Sequence, residues 1–177
     1  MADRVVLVHG LWLNGPSMAP LGWRLARAGF AVSRFSYWSV LRGLDYNVES
    51  LLRYCRKFES DRLYLVGHSL GGVLILAAIA RGLRAHRAVL MGIPYHGSIS
   101  ANGLARLGIG RKILGRTLSD WLRSAKPAPA GEAEIGVLAG DRSIGIGKLI
   151  SSLPLPNDGV VWLDETKVPG ATSRKSG

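Results

Sequence analysis

The stretch Leu63-Tyr-Leu-Val-Gly-His-Ser-Leu-Gly-Gly72 constrains this chain more than any other. A short apolar run ends at Gly67, a serine follows two residues on, and a very apolar helical run, Leu70 to Leu83, begins at once. A strand that turns straight into a helix forces the residue at the turn into a strained backbone conformation. Gly67 and Gly71 must then be small so that strand and helix can approach. The Ser69 hydroxyl projects above the sheet at a helix N-terminus, where amide N–H groups and the helix dipole favour negative charge. That is what a nucleophilic serine needs. Gly-x-Ser-x-Gly alone recurs by chance, and an ordinary glycine-rich turn competes with it. The strand before, the helix after and the extra Gly72 weigh against that account. His68, a neighbour in the turn, points away from Ser69 and reads as a packing residue.

The rest of the chain repeats the same alternation. Val5–Val8, Ala31–Phe35, Leu63–Val66, Ala88–Met91 and Ile135–Ala139 read as buried strands, and Pro16–Ala28, Val48–Phe58 and Leu70–Leu83 as helices. This pattern predicts an α/β fold: a mostly parallel sheet with helices on both faces. Ligands of such sheets sit at the carboxyl ends of the strands. Those ends are His9-Gly10-Leu11-Trp12, Tyr37-Trp38, Gly67-His68-Ser69, Gly92-Ile93-Pro94-Tyr95 and the stretch after Ala139. With 177 residues, the chain reads as one domain over 1–170. Residues 98–130 break the rhythm and read as a lid insertion with helical pieces near Leu104–Leu107 and Ile113–Leu122. Residues 171–177 read as a polar, disordered tail.

Acyl transfer at Ser69 needs two main-chain donors for the developing oxyanion. The Leu70 N–H is one. The loop after the first strand should supply the other, from Leu11 or, failing that, Trp12. His9 is expected to hold that loop and to do no chemistry. Trp12, Tyr37, Trp38 and Tyr95 either line an apolar acyl pocket or pack in the core.

Composition narrows the alternatives. The net charge of +11 favours anionic partners, yet the arginines are scattered, which suits a solvated basic surface. Basic residues Arg106, Arg111, Lys112, Arg116, Arg123 and Lys126 gather in the lid stretch around Trp121, and contact with an anionic membrane surface is the functional reading of that cluster. No specific nucleic-acid binding is expected. Cys55 is the single cysteine, so no internal disulfide forms, and no signal peptide or 18-residue apolar span is evident; these point to a cytoplasmic setting. The separated histidines give no metal-ligand pair, and Gly147-Lys148-Leu149 fails as a phosphate loop. Neither a metal nor a cofactor is expected.

With these stretches on view, the sequence resembles the α/β-hydrolase family, in its compact lipase and esterase branch. The matching segments are Val5-Val-Leu-Val-His-Gly-Leu11, Leu65-Val-Gly-His-Ser-Leu-Gly-Gly72, Met91-Gly-Ile-Pro-Tyr-His-Gly97 and Pro156-Asn-Asp-Gly-Val160. The resemblance implies a Ser, acid, His triad that hydrolyses ester bonds without a cofactor. Asp158, just before a glycine, fits the acid better than Asp141 or Asp164. The base departs from the family: His9, His68, His86 and His96 all precede Asp158. Truncation is the favoured explanation, with the fifth strand left as an exposed, association-prone edge. A substitute base at His96, a non-catalytic binding protein and an acyltransferase are the remaining readings.

Overall fold

The computed structural model describes residues 2–59, 61–95, 110–127, 133–140 and 172–176. Among them six strands form one sheet: β1 (Asp3–Val8), β2 (Ala31–Phe35), β3 (Arg62–His68), β4 (Arg87–Met91), β5 (Glu134–Gly140) and β6 (Thr172–Ser176). Their order is β2-β1-β3-β4-β5-β6. Every pair is parallel, with Val8 opposite both Phe35 and Gly67, and His68 opposite Met91. The carboxyl ends of the strands therefore open on one edge of the sheet. This is the parallel α/β architecture that the alternation predicts.

The pleat sorts the strand residues between two covers. Val6, Val8, Leu65, Leu90 and Val137 face the main core, shared with α2 (Leu44–Cys55) and α3 (Leu70–Ala80). Val5 and Leu7 face the other side, where Met18, Leu21 and Leu25 close over them from α1 (Ala19–Arg27) and the 3₁₀ turn before it. Residues Leu70 through Ile79 of α3 are all buried, so this helix has no solvent face. A helix that is apolar all round can sit only inside the core.

The helix α4 (Gly110–Arg123) occupies the second half of the stretch expected to form a lid. Its Leu114, Leu118 and Trp121 are buried in the main core, so this segment is part of the body and not a loose cover. Trp121 accordingly lies inside and not on the basic face. The helix kinks at Gly115 (φ 68°, ψ 172°), where a Cβ would stand 2.7 Å from the Val40 Cα. The Arg116 N–H donates to the Val40 carbonyl at 2.9 Å. Asp120 accepts the Leu44 N–H at 3.0 Å and so caps α2, whose own capping residue, Gly43, has no side chain to do it. This remote cap starts α2 at Leu44, ahead of the Val48 start that local periodicity predicts.

The tail expectation is corrected by β6. Thr172–Ser176 pairs parallel with β5, from Gly136 opposite Thr172 to Gly140 opposite Ser176. A main-chain ladder does not require apolar side chains at a sheet edge, and a short polar strand there deters further pairing. The exposed edge predicted at β5 is thus covered, and β2 and β6 are the outer strands. No helix among the described residues is long and apolar enough to cross a membrane.

Candidate active site

β3 passes into α3 at Ser69, which holds φ 51° and ψ −118°. Among the described residues, only Ser69 and Trp12 (φ 60°) are non-glycine residues with positive φ. Such conformations cost about 1–3 kcal/mol each and persist where the surroundings dictate them. Both stand at carboxyl ends of neighbouring strands. The dictating contacts are main chain against main chain. A Cβ on Gly67 would stand 2.6 Å from the Gly72 nitrogen, and one on Gly71 only 2.2 Å from the Val8 oxygen and 2.6 Å from the His9 oxygen. The Ser69 N–H donates to the Met91 carbonyl at 2.8 Å, so the strand ladder continues up to the turn residue itself. Leu70 opens α3, where amide N–H groups have no intrahelical acceptor.

The loop after β1 lies against this turn. A Cβ built on Gly10 would be 3.4 Å from the Ser69 Cβ. The Gly10 carbonyl accepts from the Leu13 N–H at 3.4 Å and from the His9 ring at 2.8 Å. Two donors fix that carbonyl, and because the Gly10–Leu11 peptide is trans the Leu11 N–H points the opposite way. Gly10, whose carbonyl is engaged in this way, is the residue of the β1 loop that lies against Ser69.

His9 is fully buried and ties two loops together. Its Nδ1 lies 2.8 Å from the Gly10 oxygen, and the Tyr37 N–H approaches its Nε2 at 3.2 Å. A carbonyl only accepts and an amide N–H only donates, so Nδ1 carries the proton and the ring is neutral. The Tyr37 hydroxyl donates to the His9 carbonyl at 3.0 Å, and the two rings stack at 4.4 Å. Burial pushes the His9 pKa below its ordinary 6.5, against a smaller upward effect of the bond to Gly10. Burial likewise lowers His68. Because the folded pKa is lowered, the unfolded chain binds more protons below about 6.5, and stability falls as pH drops through that value. We expect the denaturation midpoint to decrease between pH 7 and pH 5. His9→Ala, which removes a buried ring and both its hydrogen bonds, should cost about 2–4 kcal/mol at pH 7 and flatten that decline. Thermal melts of both proteins across this range provide the check.

The remaining candidates separate into three groups. Tyr37 and Tyr95 are buried, Tyr37 on His9 and Tyr95 through a hydroxyl bond to the Pro127 carbonyl at 3.2 Å, so both pack in the core. Trp12 and Trp38 face solvent. Asp158, His96, Asp141 and Asp164 lie outside the described residues. His86 immediately precedes β4 and donates its N–H to the Leu63 carbonyl, at the amino end of the sheet, away from Ser69. His68 has a buried Nδ1 without a hydrogen-bond partner, 3.0 Å from the Cβ position of Gly10. No group of three His, Cys, Asp or Glu suited to a metal occurs among the described residues. The His9–Tyr37 link is the functional feature that local sequence does not reveal, since its partners are 28 positions apart.

Residues 5–167 match the profile of the alpha/beta hydrolase family. The chain belongs to this family. Solved structures of the same fold include the Bacillus licheniformis lipase BlEst2 in its mature form (20% identity, TM-score 0.68, covering 97% of this chain and 82% of that one). The metagenomic carboxyl esterase MGS0156 aligns at 21% identity and TM-score 0.70, over 97% of this chain and 62% of that one. The type II thioesterase BorB, from the borrelidin biosynthetic cluster, aligns at 17% identity and TM-score 0.66, over 99% of this chain and 82% of that one. No curated protein matches the sequence. In this α/β hydrolase, then, the strained serine, the helix N-terminus and the β1 loop meet at the carboxyl edge of the sheet, where ligands of parallel sheets bind.

Proposed function

We propose that this α/β hydrolase is a serine hydrolase that cleaves carboxylic esters, lipid or small acyl, through an acyl-enzyme on Ser69. The observation that carries this reading is the forced φ of 51° at Ser69, with the α3 N-terminus on one side and Gly10 packed against its Cβ on the other. Attack by the Ser69 oxygen on an ester carbonyl converts that carbonyl oxygen to an oxyanion. The N–H groups of Leu70 and Leu11 receive it, and the alcohol leaves with a proton. Water then discharges the acyl group; discharge by an alcohol would make the chain an acyltransferase. Asp158 is the residue we assign to orient a histidine base. Trp12 and Trp38, exposed after β1 and β2, are the residues we assign to meet an apolar acyl chain.

The base is the weak part of the constellation. His9 has both ring nitrogens engaged and His86 stands at the other end of the sheet. His68 adjoins Ser69 in the turn, and we assign it to packing there; His96 is then the candidate base, and we propose that catalysis by this sequence is impaired because all four histidines precede Asp158. A binding role without turnover is the second reading, favoured by that same observation.

A fluorophosphonate probe tests the nucleophile. It should modify one site, Ser69, and the labelled peptide found by mass spectrometry should vanish in Ser69→Ala. Label retained by that variant would overturn the assignment.

A further inference from the structure

Three large apolar side chains stand out from the described surface near the carboxyl edge: Trp38 is 63% exposed, and Trp12 and Leu41 are each 61% exposed. Trp12 follows β1 and Trp38 follows β2, the neighbouring strand, with Val8 opposite Phe35. The two loops are stitched together by the His9–Tyr37 bonds and by the Gly15 N–H donating to the Ser36 hydroxyl at 2.8 Å. Leu41 continues the second loop, whose Trp38 carbonyl accepts the Arg42 N–H at 3.1 Å. The exposed aromatic and aliphatic groups therefore form one rim and not three scattered residues.

Basic groups border that rim. Arg42 is exposed and stacks over Tyr46 at 4.9 Å, and Tyr46 is itself exposed. Arg116 is anchored through its backbone to Val40, one residue before Leu41. Beside them lies a recess of about 300 Å³ lined by Gly43, Arg116, Ser119, Asp120 and Arg123. Asp120 accepts the Leu44 N–H and pairs with Arg123, so those two charges offset each other and Arg116 supplies the excess charge of the recess, and Asp45 is paired with Arg81. Glu49, one turn along α2 from Tyr46, is a further exposed carboxylate among the described residues. The face thus joins an apolar rim to a cationic recess, on a chain of net charge +11.

We propose that this rim, with Arg42 and Arg116 behind it, seats the chain on an anionic lipid bilayer. Tryptophan and leucine reach the headgroup–acyl boundary, where amphipathic rings are stable, and the guanidiniums pair with lipid phosphates. Ser69 then opens towards the membrane, at the carboxyl edge that the rim borders. The proposal goes beyond the acyl-enzyme chemistry and does not need it. Membrane seating is a property of the surface, and Ser69→Ala should bind as the parent does.

Sedimentation of the full 177-residue chain with vesicles decides the matter. Binding to vesicles containing phosphatidylglycerol should exceed binding to pure phosphatidylcholine and weaken with salt. The double variant Trp38→Ala, Leu41→Ala should lose about tenfold in affinity, and Leu41→Glu a similar amount. Arg42→Gln with Arg116→Gln should lose about tenfold or more and reduce the salt dependence. Trp23 is equally exposed at 61%, but it sits on α1, on the other face of the sheet. Trp23→Ala should therefore bind like the parent. Circular dichroism establishes that each variant is folded. Equal binding by parent and rim variants would overturn the proposal, as would equal damage from Trp23→Ala or binding only to nucleic acid. Failure of fluorophosphonate labelling with vesicle binding intact would sink the hydrolase reading alone.

Discussion

Alanine at Gly71 is expected to dismantle the site and destabilise the whole fold. The added methyl would lie 2.2 Å from the Val8 oxygen, 2.6 Å from the His9 oxygen and 2.8 Å from the Val8 carbonyl carbon. These are backbone atoms of a central strand and of the loop that His9 pins, so none can swing aside as a side chain would. Relief requires α3 to move away from β1, which opens the core around the fully buried Leu74 and Ile75. A cost of about 3–5 kcal/mol is expected, at the severe end for single substitutions. At about 2–4 °C per kcal/mol for a chain of this size, the melting temperature should fall by roughly 10 °C or more. Gly29 supplies the contrast. It has φ 93° with nothing within 4 Å of its Cβ position, so Gly29→Ala meets only the backbone penalty of about 1–2 kcal/mol. Thermal melts of the two variants side by side separate steric contact from backbone conformation. A Gly71→Ala protein melting as Gly29→Ala does would show that α3 is not pressed on β1 as described.

The same close approach explains why the elbow is legible from sequence. Gly67 and Gly71 are glycine because main chain occupies the space of their side chains, and such a requirement leaves a local mark. The strands are legible for a related reason. β1, β3 and β4 are covered on both faces, so they read as continuous apolar runs. The α2 start is not legible, because Asp120, which caps it, is 76 positions away in sequence. β6 is not legible either. Edge pairing draws on backbone groups that every residue type carries, so Thr172-Ser-Arg-Lys-Ser176 gives no apolar signal. In the site, Ser69 and its glycines follow from the motif. The burial of Tyr37 and Tyr95 does not, since an aromatic residue at a strand end serves equally as pocket wall or core until its neighbours are known. The expected role of His9, holding a loop, agrees with its bonds to Gly10 and Tyr37.

The largest functional effect concerns the proton of Ser69. A serine hydroxyl is a poor nucleophile at neutral pH, and loss of the base in a well-studied serine protease lowers kcat by about 10⁶-fold. His9 cannot serve, because its Nε2 lone pair is spent on the Tyr37 N–H and its Nδ1 proton on the Gly10 carbonyl. With its four histidines the chain is expected to turn over p-nitrophenyl esters very slowly, retaining only what oxyanion stabilisation and binding contribute, about 10³–10⁴-fold over water. Added imidazole should then act as a diffusible base. The rate should rise with its concentration, and the pH profile should follow the neutral imidazole fraction, because only that form accepts a proton. Ser69→Ala should abolish the rescue and leave the residual rate, which does not depend on the nucleophile, whereas His96→Ala should leave both unchanged. A brisk rate indifferent to imidazole and lost in His96→Ala would make His96 the base and refute the impairment. Rescue that survives in Ser69→Ala would mean imidazole hydrolyses the ester by itself, and the serine mechanism would have no support from this assay.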